Sequence, residues 1–233
     1  MQEDMEIMDK LIFDIDSGKY EPDDKLPSEN ELADLFKVLR NTVRRFYKKL
    51  QELGYIYSKQ GKGSYVMDRH QQIPLVLSGH ESFSKKMKEK GFDYQSKNLF
   101  CEEIAYNRRI FHALGVSDCE RVFKIGRLRI VNQQPIALHI SHIPLSIFES
   151  IQQDGQQITS MFDYYRKWGY SEFESNSTRL SVTFPTKEER ELLQCSSLIP
   201  LLFLESNCMD KRTKTILEYT KVFYRSDYFT YII

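Results

Sequence analysis

Ser28-Glu29-Asn30-Glu31 opens the most constraining stretch of the chain. Ser at its first position and Glu three residues later form a capping box: the hydroxyl accepts from a free helix N–H while the carboxylate reaches back. Leu32, Leu35 and Phe36 follow at helical spacing. A break at Lys37-Val38-Leu39 leads to another helix, which runs to about Leu53 and is stopped by Gly54. Its Val43, Phe46, Tyr47, Leu50 and Leu53 form a stripe to be buried, whereas Arg40, Arg44 and Lys48 fall at i, i+4 and i+8 on one outward strip. Two short helices joined so tightly, the second bearing the basic strip, form a helix-turn-helix pattern. Upstream, Met5, Met8, Leu11, Ile12 and Ile15 predict a further helix ended by Gly18, and Pro22 and Pro27 bracket a turn. Downstream, β-prone runs on either side of Gly61-Lys62-Gly63 predict a hairpin with a basic tip, whose glycines let the backbone approach a phosphate. Three helices and such a hairpin read as a winged helix.

Charge supports this reading once it is taken segment by segment. The chain of 233 residues carries 33 basic and 33 acidic side chains, and a neutral total argues against a nucleic-acid partner. Residues 1–34, however, hold three basic and twelve acidic residues, and residues 35–67 hold eight basic residues against Glu52 alone. Blocks of −9 and +7 therefore adjoin, and a phosphate backbone responds to the field within a Debye length, about 8–10 Å. A solvated helix face is the competing reading of a basic run, and the helix-turn-helix context weighs against it.

Asp24-Lys25-Leu26-Pro27-Ser28-Glu29, Asn41-Thr42-Val43-Arg44, Leu53-Gly54-Tyr55-Ile56 and Gln60-Gly61-Lys62-Gly63-Ser64-Tyr65-Val66 resemble, in order and spacing, the DNA-binding domain of GntR-family bacterial transcription regulators. The resemblance implies operator contacts from Arg40, Asn41, Thr42 and Arg44, from Lys48 farther along the helix, and from the tip Gly61, Lys62 and Gly63. Tyr55 and Tyr57 read as hairpin packing. Two positions depart from the family pattern: Asn30 stands where a basic residue is usual, and Leu39 where Ser or Thr caps the recognition helix, a loss of about 1 kcal/mol.

Residues 68–79 lose periodicity and read as a linker between domains at 1–67 and 80–233. Beyond it, β-rich stretches at 94–105, 121–131, 135–143, 172–184, 201–209 and 215–224 alternate irregularly with helical segments at 108–114, 158–168 and 187–193, and a helix capped by Ser82 is expected to end at Gly91. Mixed elements without βαβ alternation predict an α+β antiparallel sheet. Gly79-His80-Glu81-Ser82-Phe83, Arg127-Leu128-Arg129, Gln134-Pro135-Ile136, Leu217-Glu218-Tyr219 and Tyr224-Arg225-Ser226-Asp227-Tyr228 are similar to the UTRA effector-binding domain of the HutC subfamily. That resemblance implies a chorismate-lyase-like α+β fold, a homodimer and a small-molecule effector such as a sugar phosphate. Arg127 and Arg129, at i and i+2 of a strand, place two guanidiniums on one side, which suits a phosphate or carboxylate. A surface charge ladder is the other reading of the pair. Glu218 and Tyr224 share parity on their strand, and Ser82, Ser84 and Ser160 offer hydroxyls at helix starts, where ordinary capping is the alternative. Phe162 and His139 replace a Tyr and an acidic residue that are common in relatives.

No nucleophile-elbow, zincin, P-loop or dinucleotide motif is present, so no cofactor is called for and catalysis is disfavoured. His139 and His142, three apart on a strand, point to opposite faces and suit no common metal. Four scattered cysteines, no apolar run long enough for a membrane span and no secretory signal point to a cytoplasmic protein. The expectation is a ligand-responsive repressor that binds double-stranded operator DNA. The alternatives are a metabolite-binding module with weakened DNA binding, which retains no genomic fragment at low salt, and a chorismate-lyase-like enzyme, which forms product.

Overall fold

A computed structural model describes residues 2–68, 73–76 and 83–232. Ser82 and most of the 68–79 stretch lie outside the described residues. The chain divides into two compact units, one of residues 1–73 with 196–199 and 227–230, the other of the remainder.

The first unit contains helices α1 (Gln2–Asp16), α2 (Glu29–Phe36) and α3 (Arg40–Glu52), then strands β1 (Ile56–Lys59) and β2 (Gly63–Val66). The capping box forms as expected: Glu31 N donates to Ser28 Oγ over 3.3 Å and Ser28 N to Glu31 Oε2 over 2.6 Å. Lys37, at φ 53°, ends α2 in the left-handed region. Leu11, Leu32, Val43, Leu50, Ile56 and Val66 are buried together, which fixes the faces of all three helices and ties the hairpin to them. At such a site Leu→Ala costs roughly 2–5 kcal/mol. The Tyr47 hydroxyl is buried with its ring and donates to the carbonyl of Pro27, bracing α3 against the turn that precedes α2. The hairpin pairs Ile56 with Val66 and Lys59 with Gly63, and Leu26 N donates to Ser64 O over 2.9 Å along its outer edge.

The second unit is built on an antiparallel sheet. After β2 the chain forms, in order, β3 (Ile73–Val76), α4 (Phe83–Glu89), β4 (Tyr94–Ile104), α5 (Arg108–Leu114), β5 (Val122–Val131), β6 (Gln134–Pro144), α6 (Ile151–Asp154), α7 (Met161–Lys167), β7 (Phe173–Glu174), β8 (Thr178–Thr183), α8 (Lys187–Leu193), β9 (Leu201–Asp210), β10 (Ile216–Arg225) and β11 (Phe229–Ile232), of which Ile73, Phe229 and Thr230 fall in the first unit. The main sheet has strand order β4-β5-β6-β10-β9-β7, with β8 also on β9; β3 and β11 form a separate pair. Leu128, Leu138, Leu193 and Leu201 form a core on the face covered by α8, and Ile110, Phe111, Leu114, Val122 and Tyr219 bury α5. On the opposite face, Phe123, Ile125 and Ile143 meet Phe148, Ile151, Met161 and Tyr165 from α6, α7 and the loop before them. Gly126 is needed on β5 because the Phe100 ring crosses it: a Cβ there would lie 2.3 Å from the ring.

Several boundaries differ from the sequence reading. The single strand expected over 172–184 is two, β7 and β8. Between them Asn176 N donates to Asn207 Oδ1 and Ser175 Oγ lies 2.9 Å from Ser206 Oγ, so side chains replace the ladder. The helix expected from 158 starts at Met161, because Ser160 caps it, accepting from Asp163 N. Strand β3 occupies part of the stretch read as linker, and α6 and β11 are too short to announce themselves by periodicity.

Candidate functional site

On the first unit, Arg40, Asn41, Arg44 and Lys48 are exposed along α3, and Thr42 is half-buried. Leu39, 78 % exposed, provides no side-chain cap, as its chemistry requires. The two arginines are joined through α2. Glu29 Oε2 accepts from Arg40 Nε at 2.8 Å and Arg44 Nη2 at 3.1 Å, and Glu29 Oε1 accepts from Arg44 Nε at 3.1 Å. Arg44 first, and then Arg40, hold the Glu29 carboxyl below the usual carboxylate range. Gly61, Lys62 and Gly63 are exposed at the hairpin tip, with φ of 71° at Gly61 and 115° at Gly63. Tyr57 and Tyr65 stack at 5.7 Å and carry the Lys59 ammonium 5.2 and 4.5 Å above their rings, so Tyr57 does pack the hairpin, while Tyr55 is partly buried against the core of the first unit.

In the second unit, Arg127, Arg129, His139, Glu218 and Tyr224 are buried on one face of the sheet. The register explains the grouping: Arg127 faces His139 across β5 and β6, Arg129 faces Ala137, and Ala137 faces Tyr224 on β10. Arg129 Nη1 donates to Tyr94 OH (2.7 Å), Ser96 Oγ (2.6 Å) and Thr159 O (2.8 Å). Arg127 Nη2 donates to Ser141 Oγ and lies 4.0 Å from Glu218 Oε1, while Tyr165 OH donates to Glu218 Oε2 over 2.8 Å. Phe83, at the start of α4, lies 5.2 Å from the His139 ring, 5.8 Å from that of Tyr94 and 6.1 Å from that of Tyr224.

Three buried nitrogens here, Arg127 Nε, Arg129 Nε and His139 Nε2, have no hydrogen-bond partner among the described residues. Each such atom costs about 1–3 kcal/mol, and native structures hold few of them. Burial, and then the Arg129 charge, push Arg127 down to about 10. Burial followed by Arg129 and Arg127 holds His139 well below the ordinary histidine range, so its imidazole is neutral. Among the described residues, two guanidiniums and a neutral ring against one carboxylate make a buried site of positive sign.

Of the residues picked from sequence, Arg127, Arg129, Glu218 and Tyr224 are brought together. Ser160 caps α7, next to the Thr159 carbonyl that Arg129 uses. Ser84 is half-buried in the first turn of α4, and Ser82 lies outside the described residues. Tyr94, Ser96, Ser141 and Tyr165 were missed. Tyr94 and Ser96 share a face with the arginines only through the pairing of β4 with β5.

The other face of the sheet differs. An open cavity of about 480 Å³ is lined by Arg109, Arg179, Glu205, Asn207 and Tyr219, among others. Its carboxylate is satisfied: Glu205 accepts from Arg109 Nη2 and from Tyr219 OH, each at 2.6 Å. His142 points to this face, its Nδ1 3.1 Å from Tyr219 O, and burial pushes it down to about 4. His139 and His142 thus lie on opposite faces.

Comparison with known proteins agrees with both units. Residues 4–66 match the bacterial regulatory proteins of the gntR family, and residues 89–230 match the UTRA domain. The chain is 28 % identical over 227 residues to the HTH-type transcriptional repressor NagR of Bacillus subtilis (strain 168), covering 97 % of this chain and 92 % of NagR. It is 27 % identical to the mannosyl-D-glycerate transport/metabolism system repressor MngR of Escherichia coli (strain K12), covering 84 % of this chain and 81 % of MngR. The crystal structure of PhnF from Mycobacterium smegmatis has the same fold, with a TM-score of 0.63 and 20 % identity over 97 % of both chains. A winged helix with a basic recognition helix, joined to a UTRA sheet with buried arginines, makes this chain a transcription regulator rather than an enzyme: it belongs to the gntR family, among its UTRA-containing, HutC-type members.

Proposed function

We propose that the protein is a repressor that binds operator DNA as a homodimer through α3 and the wing, and that a small anionic, sugar-like metabolite bound at Arg127 and Arg129 releases it. The observation that carries this reading is that, among the described residues, nothing accepts from the buried Nε–H of either arginine. Two adjacent donors on one strand face match two oxygens of a phosphate or carboxylate, and an anion that accepts from both removes a penalty the fold otherwise bears. The name of the MngR repressor refers to a sugar acid, which is consistent with this chemistry. Glu218, Tyr224 and His139 supply hydrogen-bonding groups beside the anion for ligand hydroxyls. For the dimer, Leu180, Val182 and Phe184 support a role for β8: they are exposed at alternate positions along it and just beyond it. Apolar rows of this kind on a strand mark association surfaces.

A thermal-shift screen over sugar phosphates, sugar acids and phosphonates tests the reading. A ligand at 100 times its Kd stabilises the folded protein by about 2.7 kcal/mol. The same compound should release the protein from DNA, with a coupling of about 5- to 150-fold. Replacing Arg127 and Arg129 together by Ala should abolish both responses and spare DNA binding; a normal release curve from that variant would refute the site. One observation favours a second reading, a sensing module with weakened DNA binding: α3 begins at Leu39 without a side-chain cap. Failure of the full chain to retain any genomic fragment in low salt would favour it.

A further inference from the structure

The carboxylate between the recognition-helix arginines has a consequence for how they meet DNA. Arg40 and Arg44 together own about ten N–H donors. Three are taken by Glu29, the two Nε–H groups and one on Arg44 Nη2, so the remaining Nη donors are those left to address DNA. Arg44 is held through two parallel bonds, the geometry that fixes a guanidinium plane as well as its position. Glu29 is itself anchored, because it is the first residue of a helix whose start is locked by the Ser28–Glu31 box. The three side chains form one unit that spans α2 and α3, with two positive charges partly offset by one negative.

We infer that Glu29 is a positioning residue that sets sequence choice: it fixes the guanidinium plane of Arg44, tethers Arg40 by its Nε, and lowers the attraction of both for phosphates of any sequence. A free arginine on an exposed helix reaches for the nearest phosphate, and phosphate contact carries no sequence information. An arginine held as a fork presents its donors in one direction, as bidentate contact to a guanine edge requires. Glu29 therefore trades general affinity for discrimination. The inference rests on the reading that α3 contacts DNA.

The test uses the full chain, a 30-base-pair duplex of randomised sequence and the Glu29→Gln variant, which keeps the side-chain size and removes the charge. The variant should bind the random duplex more tightly. Its salt dependence should steepen by up to about one counterion, so that it loses roughly three- to fourfold more affinity than the parent between 50 and 200 mM salt. Sequences enriched from the random pool by repeated selection should be less sharply defined than those enriched by the parent. In an Arg40→Ala/Arg44→Ala background, Glu29→Gln should change none of these readouts, whereas a merely structural effect on α2 would persist there. Equal or weaker binding by the variant with an unchanged salt slope would overturn the inference. So would a selected motif as sharp as the parent's. If the parent itself retains no duplex in low salt, the DNA-contact reading falls, and this inference with it.

Discussion

The molecule carries two pairs of arginines with opposite circumstances. Arg40 and Arg44 stand in solvent, with more than half of each side chain exposed, and share a carboxylate. Arg127 and Arg129 are 3 % exposed, and each keeps a buried Nε–H without a partner among the described residues. An exposed ion pair contributes little to stability, about 0–1 kcal/mol, so holding the two arginines costs the fold little either way. A buried, under-satisfied guanidinium opposes folding and is retained where something else requires it. The exposed pair suits a partner as large and as charged as a duplex, the buried pair a ligand small enough to be enclosed.

Acid should separate the two units most. The five histidines all lie beyond residue 67, so the winged helix has none. His142 is pushed down to about 4 by burial. Its folded value lies below the unfolded one, so between about pH 6.5 and 4 the unfolded chain binds the proton that the folded sheet refuses. Stability is intact above that window and falls as pH drops through it, by about 3 kcal/mol for this residue. His139 acts in the same direction. Trp168, the single tryptophan, packs against Phe148 and reports the second unit alone. Urea titrations followed by its fluorescence should lose midpoint over this range, and His142→Asn should flatten the loss. A pH-independent midpoint would show that the folded ring takes up its proton as the unfolded one does.

The next largest effect is expected on DNA. Arg44→Ala should weaken binding to a selected duplex by about 2 kcal/mol, or roughly thirtyfold, with the urea midpoint hardly moved. Retained affinity would remove the exposed pair's assigned role. The buried pair should behave in reverse. Arg127→Met combined with Glu218→Gln removes a buried charge from each side and should raise the stability of the second unit by about 1–2 kcal/mol while abolishing ligand response. A loss of stability instead would mean that the buried pair is structural. The smallest effect belongs to the cap: Leu39→Ser should stabilise the winged helix by about 1 kcal/mol, read as a raised melting temperature.

Much of the winged helix could be read from the chain because its signals are local. Ser28 and Glu31 are three residues apart, Gly54 ends a helix at its own position, and Arg40, Arg44 and Lys48 share a strip by spacing alone. The buried site was legible only in part. That Arg127 and Arg129 share a face follows from strand parity, but Tyr94, Ser96 and Ser141 join them through pairing with β4 and β6, which no local rule supplies. Glu29 was read as part of an acidic block at the head of a helix. Its bond to Arg44, fifteen residues on, depends on how α2 packs against α3.

Strands β5 and β6 are joined by Asn132 and Gln133 alone, at φ of 48° and 65°, and their register shifts by one residue between Arg129 and Ile130. The shift sets Ile136 aside as an extra residue, so that Ala137 and His139 fall on the arginines' side. A register that slips by one residue without such a bulge turns every later side chain to the other face. Ile136 therefore decides which side chains share the buried arginines' face: were the bulge removed with no other change in pairing, His139 and Ser141 would turn away from Arg127 and Arg129.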